Sequence, residues 1–524
     1  MFRNNLFKKA IVMGYEVELK LAVNKTHAKK LHLIPLITDS SLTKPAKNNL
    51  ISTYFDTPDL KLLDAGITLR IRQKASEWIQ TIKLAGAGSS GLHQRNEWED
   101  LVNSCHPDFT KIKEPRLIKI FANKKLQASL IPIFRTEIMR EEWLLAFDNG
   151  DQIELSLDSG LLKAKQLHEP INEIELELKA GNVGRIFEIA LALQKSIPLR
   201  IENNSKAKRG YEYYRPTDLK TFKAKLPSID KNINAITAFK IIAQECITHL
   251  ESNRDIVLKE ADIEGVHQMR VALRRLRSAF SLFKECLNAE ESSLILTEVK
   301  WLANKLGNVR DLDVLITDTI PLVSDYSNNH NGILILSEQA RKARRVAIKD
   351  LQEAIMSQRY HRLLLTLSSW LESERWMEQH KHADNFNLLK FSKRVFNKFH
   401  KRLMKGQLRF QGMRPEERHK VRITAKKLRY AMEFFYNLYP SKKIGIFIKK
   451  LSKLQDSLGR MNDISVTGVL LKSISKTNPC SSLDEVIPIF ESWGSKKSNE
   501  ERSRVGSAFK KLLKDKPFWI DIKN

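Results

Sequence analysis

The chain has 524 residues, 42% hydrophobic and 29% charged, a globular balance that excludes collagen-like, wholly disordered and disulfide-scaffold chains and predicts two to four domains. No apolar stretch approaches the ~20 residues of a membrane-spanning helix. Cys105, Cys246, Cys286 and Cys480 form no C-x-x-C pair, which points to a reducing cytoplasm and away from a cysteine-rich zinc site. Lys plus Arg outnumber Asp plus Glu by 89 to 61, a net charge of +28. Residues 1–210 hold 32 bases and 25 acids (net +7), leaving 57 and 36 (net +21) for residues 211–524. Such a field attracts a polyanion, whether nucleic acid, anionic membrane or polyphosphate.

In chain order, the opening M-F-R-N-N-L-F-K-K-A-I-V-M-G has neither the long apolar run nor the cleavage site of a signal peptide. It reads either as a loose arm over 1–12 or as a leader to a natural start at Met13. Strands follow. In Y-E-V-E-L-K-L (15–21), Glu16, Glu18 and Lys20 share one face and Tyr15, Val17, Leu19 and Leu21 the other. The same alternation places Arg70 with Arg72, Thr81 with Lys83, Arg95 with Glu97 and Glu99, Glu154 with Ser156 and Asp158, and Glu173 with Glu175, Glu177 and Lys179. One half-exposed antiparallel strand gives this pattern unaided. Charges of both signs on at least six strands, with few solvating Ser, Thr or Asn, instead predict a barrel whose charged face is a lumen. Such a lumen is costly unless filled, and a polyanion bridged by a divalent cation satisfies both signs.

These residues resemble the CYTH domains, the triphosphate tunnel metalloenzymes. E-V-E-L-K (16–20) is similar to their E-x-E-x-K signature. The likeness continues in order through L-R-I-R (69–72), T-I-K (81–83), G-L-H-Q-R-N-E-W (91–98), E-I-M-R-E-E-W (137–143), I-E-L-S-L-D (153–158), E-I-E-L-E-L (173–178) and S-K-A-K-R-G-Y (205–211). The resemblance implies an eight-stranded antiparallel tunnel over 13–215 that binds linear triphosphate with Mg²⁺ or Mn²⁺. It implies Glu16, Glu18, Glu173, Glu175 and Glu177 as metal ligands and Lys20, Arg70, Arg72, Lys83, Arg95, Arg140 and Lys206 as phosphate ligands. Arg135 is a weaker member, and Glu97, Glu99 and Asp158 are ligands or braces. Catalysis would rest on Lys83 and on Glu97 or Glu175 to orient or deprotonate water. The A-G-A-G-S-S-G stretch (85–91) lacks the G-K-[ST] ending of a P-loop and reads as a mobile hairpin loop. His93 reads as structural, and His27, His32, His106 and His168 lack metal-like spacing.

Residues 216–230, with Pro216, Pro227 and several lysines, read as a linker; beyond it apolar residues recur at helical spacing. V-H-Q-M-R-V-A-L-R-R-L-R, from Val266, matches R-H-K-V-R-I-T-A-K-K-L-R, from Arg418, at an offset of 152 residues. Leu306-Gly307 matches Leu458-Gly459, and Arg310-Asp311 matches Asn462-Asp463, at the same offset, so the region is an internal duplication. Positions i, i+3, i+7 and i+10 fall within an arc of about 80° on a helix. His267, Arg270, Arg274 and Arg277 therefore form one basic stripe, and His419, Arg422, Lys426 and Arg429 another. Neither contains an acid, and the like-charge repulsion favours a bound anion.

This half resembles the CHAD domain, which the likeness implies is all-α, with two pseudo-symmetric four-helix bundles that bind inorganic polyphosphate in a basic cleft. It spans 231–516, followed by a tail at 517–524. Arg310 is expected to add to the cleft and Asp311, Asp313, Asp456 and Asp463 to orient basic side chains; Arg359 and His361 are further candidates. The α+β multidomain whole resembles the CYTH–CHAD inorganic triphosphatases and would be cytoplasmic, associated with polyphosphate granules, and not membrane-bound. The alternatives are a non-catalytic polyphosphate scaffold, a thiamine triphosphatase, an adenylate cyclase, or a nucleic-acid binder. The last is disfavoured because no groove-reading or stacking motif is present.

Overall fold

A computed structural model describes residues 15–326, 330–373, 387–477, 481–514 and 516–520. The arm at 1–12, the start at Met13, Cys480 and residues 521–524 of the tail lie outside the described residues. The chain divides into two compact units, Met1–Leu219 with Met356–Ser373, and Lys220–Ile355 with Glu374–Asn524. No helix among the described residues is long and apolar enough to cross a membrane. Cys105, Cys246 and Cys286 are free thiols.

The first unit is built on strands β1 (Tyr15–Val23), β2 (Ala46–Asp56), β3 (Ile67–Lys74), β4 (Glu77–Leu84), β5 (Ala87–Ser89), β6 (Leu92–Val102), β7 (Ile131–Ala146), β8 (Gln152–Ala164), β9 (Leu167–Ala180) and β10 (Leu199–Ile201). Eight run antiparallel in the order β1-β9-β8-β7-β2-β3-β4-β6, and β6 returns to pair with β1, which closes a barrel. β6 covers β1 from Tyr15 to Leu19, and β10 takes over that edge from Leu21 to Val23. The glycine-rich segment forms the short strand β5, turned back onto β6 through Ser90 and Gly91, both at positive φ. The Gly91 amide donates to Asn203 Oδ1 at 2.7 Å, so that amide is already engaged within the fold.

Alternation decides which face turns inward. Phe55, Leu69, Ile71 and Ile82 turn outward and pack with Leu117 and Phe121 in one apolar cluster. Full burial of each such side chain is worth about 1.5–3 kcal/mol, and this outer packing offsets the cost of an interior lined with charge. Inside, Glu18 and Lys20 are each only 3% exposed. Helix α1 (Val183–Ser196) covers the barrel with Ile186, Phe187, Ala190 and Leu193, its start capped by Asn182. Helix α2 (Lys206–Tyr214) is capped by Ser205, whose hydroxyl accepts from the Lys208 amide, and this start sets Lys206 at the lumen.

The second unit is helical: α3 (Ala235–Ser252), α4 (Ile263–Leu282), α5 (Ala289–Val314), α6 (His330–Met356), then α8 (Leu388–Arg409), α9 (Pro415–Phe434), α10 (Ser441–Thr477) and α11 (Ser481–Leu513), with α7 (Gln358–Glu372) between the two sets. The α4 and α9 boundaries are offset by 152 residues at both ends, the spacing of the sequence repeat. Leu312, Ile333 and Leu336 of the first repeat pack with Leu471, Val486, Phe490 and Trp493 of the second, so the repeats share a core. Helix α7, which lies inside the span expected for the helical domain, belongs to the barrel unit. Its His361 Nδ1 accepts from the Ile201 amide (3.2 Å) and its Gln358 Oε1 from the Leu199 amide (3.1 Å), which caps β10. His361 is thus a barrel residue and not a member of the basic cleft.

Candidate functional site

Closure of the barrel gathers the inward charges around a cavity of ≈ 530 Å³ lined by nine basic and eight acidic side chains. Most of them pair with each other. Glu16 accepts from Lys83 at 2.9 Å and from Arg95 at 2.8 Å; Glu18 accepts from Lys20 at 2.7 Å and from Arg95 at 2.5 Å. Glu97 meets Lys83 at 2.9 Å and Arg70 at 3.6 Å. Glu175 is clasped by Lys20, by Arg140 at 2.6 Å and by Lys206 at 2.9 Å, and against its burial these cations hold its carboxyl well below the usual range.

The compensation is uneven. No carboxylate of the described residues lies within ion-pair distance of Arg72, whose Nε donates to Ser52 Oγ at 3.0 Å. Burial, with Arg70 and Arg140 beside it, pushes its guanidinium down to about 10. In the other sense, burial pushes the Glu177 carboxyl up to about 7, with Glu154 and Glu16 adding to the rise and Lys179 opposing it. The lumen thus holds a buried cation that no carboxylate of the described residues pairs, Arg72, and a carboxyl, Glu177, whose pairing with Lys179 at 2.8 Å does not offset its burial. Glu177 lies opposite Glu18 in register, and the hard oxygen donors of Glu16, Glu18 and Glu177 suit a divalent ion such as Mg²⁺ or Mn²⁺. Asp158, Glu173 and Glu175 are the carboxylates that, among the described residues, already converge closely enough to hold a metal. Their centre already contains the Lys206 ammonium, 2.6 Å from Asp158 and 2.9 Å from Glu175 and also bonded to Glu173.

The helical unit contains a cavity of ≈ 1050 Å³ lined by nine basic residues, two histidines and only two acids, Asp311 and Asp463. α4 supplies His267, Arg270, Arg274 and Arg277, α9 supplies His419, Arg422 and Lys426, and α5 supplies Arg310. Burial, then Arg274 and Arg422, push Lys426 down to about 6. Burial and Arg310 push His267 down to about 4. Asp311 reaches Arg270 at 3.6 Å, and His419 Nδ1 contacts Asn462 Oδ1 at 3.1 Å. Gly307 lets Arg270 lie against α5, because a Cβ there would collide with the Arg270 guanidinium.

The CYTH domain family matches residues 14–211 and the CHAD domain family residues 241–472. This is a CYTH–CHAD chain. It is 33% identical over 202 residues to an inorganic triphosphatase of Haemophilus influenzae, spanning 38% of this chain and 55% of that protein. It is 27% identical over 170 residues to an uncharacterized protein of Mycobacterium tuberculosis, spanning 32% of this chain and 33% of that one. The chain thus covers about half, or less, of these relatives' lengths. The solved CHAD domain of Ricinus communis is 30% identical, with a TM-score of 0.49, over 56% of this chain and 97% of that domain.

The CYTH lumen brings together Glu16, Glu18, Lys20, Arg70, Arg72, Lys83, Arg95, Glu97, Glu99, Arg140, Glu175, Glu177 and Lys206 from the sequence reading. Glu173 and Asp158 lie behind it, buried against Lys206, with Arg209 on Glu173 and Arg140 on Asp158. Arg135 stands outside the lumen and pairs with Glu137. Sequence reasoning missed Tyr54, a lumen phenol stacked on Phe134. Despite its burial, Arg70 and Arg72 hold that phenol below its ordinary pKa; the alternation of β2 with Arg-bearing β3 was the available signal. In the CHAD cleft every predicted stripe residue is present except Arg429, which Glu433 draws aside at 3.4 Å. Asp313 instead holds Arg344, and Asp456 is not among the cleft-lining residues. Lys284, Lys300 and Lys427, which line the cleft, lie off the stripes and were not foreseen.

Proposed function

We propose that the CYTH tunnel hydrolyses inorganic triphosphate to diphosphate and phosphate with a divalent cation, Mg²⁺ or Mn²⁺, and that the CHAD cleft binds inorganic polyphosphate. The observation that carries this reading is the mixed charge of the lumen. Its acids and bases nearly balance, so a bound polyanion needs an accompanying cation, and Arg72, which no carboxylate of the described residues pairs, is left for the anion. The likeness to an inorganic triphosphatase over the CYTH region supports it.

Lys20, Arg70, Arg72, Lys83, Arg95, Arg140 and Lys206 hold phosphate oxygens and align the chain for attack by water. A divalent ion on Glu16, Glu18 and Glu177 supplies neutralisation of charge on the phosphate oxygens when bound. Glu97, against Lys83 and Arg70 on the wall of the lumen, orients the attacking water. Lys83 stabilises charge on the phosphate that leaves. Glu175, saturated by three cations, fixes Lys20, Arg140 and Lys206 in place. The CHAD cleft, with nine bases to two acids, needs no such cation. It suits a bare polyanion.

The test is phosphate release by the full chain with and without Mg²⁺, on triphosphate, long polyphosphate, thiamine triphosphate and ATP, for the wild type and Glu16→Gln. Metal-dependent release from triphosphate, lowered by about 10²-fold or more in Glu16→Gln with polyphosphate binding retained, is the expected result. Binding of polyphosphate without release from any substrate would leave a scaffold. Preferential release from thiamine triphosphate or ATP would move the assignment to those substrates.

A further inference from the structure

The two CHAD repeats are not equivalent where the cleft ends. Under the 152-residue offset Arg275 corresponds to Lys427 and Ser281 to Glu433, and both pairs are formed. Arg275 Nη1 donates to Glu433 at 2.5 Å, and Lys427 Nζ donates to Ser281 Oγ at 2.7 Å. Glu433 also meets Arg429, the counterpart of Arg277. One carboxylate therefore neutralises two cations at one end, while the serine at the other neutralises none. Size follows the same division. Tyr430, the counterpart of Ser278, is 1% exposed, accepts from Arg274 Nε at 2.6 Å, and lies beneath the guanidinium groups of Arg275 and Arg429. The cavity accordingly reaches Arg277, Ser278, Ser281, Lys284, Lys300 and Lys427, but not Arg275, Arg429, Tyr430 or Glu433. Burial pushes Lys427 down, and the groups that add to that shift, Arg402, Arg277 and Lys398, are all cationic. The nearby acid Glu285 is engaged by Arg394 and Lys398 and does not line the cleft.

We infer that the cleft is open to a phosphate chain at one end only: Arg277 and Lys427, with Lys284 and Lys300 beyond them, form a second phosphate subsite, and Glu433 with Tyr430 closes the opposite end. The inference rests on the polyphosphate reading of the cleft. A linear polyphosphate that occupies the central His267–Arg270–Arg274 and Arg422–Lys426 group continues past Ser281 and stops at Glu433, so the cleft holds a terminal stretch of the chain.

The test measures binding of long linear polyphosphate to the full chain over a range of salt, in the wild type, Ser281→Glu and Glu433→Gln, with far-UV circular dichroism as the folding control. Each phosphate contact of a linear polyanion contributes about 0.7–0.9 to the slope of log K against log salt. Ser281→Glu pairs Lys427 and Arg277 and is expected to weaken binding about tenfold or more and to lower the slope by about 1–2. Glu433→Gln releases Arg275 and Arg429 and is expected to leave affinity and slope unchanged or raised. No loss in Ser281→Glu, or an equal loss in both variants, overturns the one-ended cleft. If Glu433→Gln does not fold, Lys284→Gln replaces it; that variant is expected to weaken binding and lower the slope, and unchanged binding overturns the inference. A wild-type chain that binds no polyphosphate overturns the underlying reading instead.

Discussion

Arg72→Met is expected to stabilise the ligand-free CYTH barrel while weakening its hold on triphosphate. Burial, with Arg70 and Arg140 beside it, pushes the guanidinium down from its ordinary value to about 10, and each pKa unit corresponds to about 1.4 kcal/mol between protonation states. At neutral pH it is charged in both the folded and the unfolded chain. A cation whose folded pKa is depressed therefore costs folding free energy throughout the range below about 10, here about 3 kcal/mol at most. Solvent screening at the partly exposed group reduces this, as does loss of the bond to Ser52, worth about 1 kcal/mol. Methionine retains the apolar stem, so the net gain is about 1–2 kcal/mol, or roughly 2–8 °C for a unit of this size. The same substitution removes charge-assisted bonds to phosphate worth about 1.5–3 kcal/mol, which predicts a 10- to 100-fold rise in KM. Calorimetry of the full chain, reading the transition that triphosphate shifts, with steady-state phosphate release beside it, measures both. A lowered transition in the absence of ligand, or an unchanged KM, would refute the reasoning.

Two more expectations concern the CHAD cleft. Lys426 titrates at about 6 in the empty cleft, facing Arg270, Arg274, Arg422 and Asp463, and a bound anion raises that value. Binding therefore takes up a proton: affinity is full below about pH 6 and declines as pH rises through the interval up to the bound-state pKa. Calorimetric titration in buffers of different ionisation enthalpy reads the proton directly, and Lys426→Met should abolish the uptake; affinity independent of pH would contradict the assignment. Gly307→Ala forces the Arg270 guanidinium away from α5, whereas a Cβ at Gly459 meets open space. Gly307→Ala should weaken polyphosphate binding, and Gly459→Ala should leave it unchanged while gaining about 0.5–1 kcal/mol of helix stability. Equal binding by the two variants would show that the Arg270 position is unimportant.

Much of the architecture is legible from periodicity alone. Alternation in β1, β3, β4, β6 and β9 identifies the charged face, and the offset of 152 identifies the repeat and both basic stripes. Periodicity does not specify the partners of those charges, because pairing depends on distances set when distant segments close on one another. The sequence places Lys206 at the lumen as a phosphate ligand, but not the carboxylates Asp158, Glu173 and Glu175 among which the first turn of α2 seats its ammonium. Helix α7 lies between the two helical repeats in sequence and packs in the barrel unit, because β10 offers backbone amides that Gln358 and His361 accept from.

The sequence by itself determined which faces carry charge and that the helical half is duplicated. Only the tertiary structure decided where charge is left uncompensated: at Arg72 in the tunnel, and at Lys427 on Ser281 but not at Arg275 on Glu433 in the cleft. The reason is physical. A repeat pattern places a side chain on a face within one element, but its free energy in that place depends on the burial and charges contributed by every element packed around it.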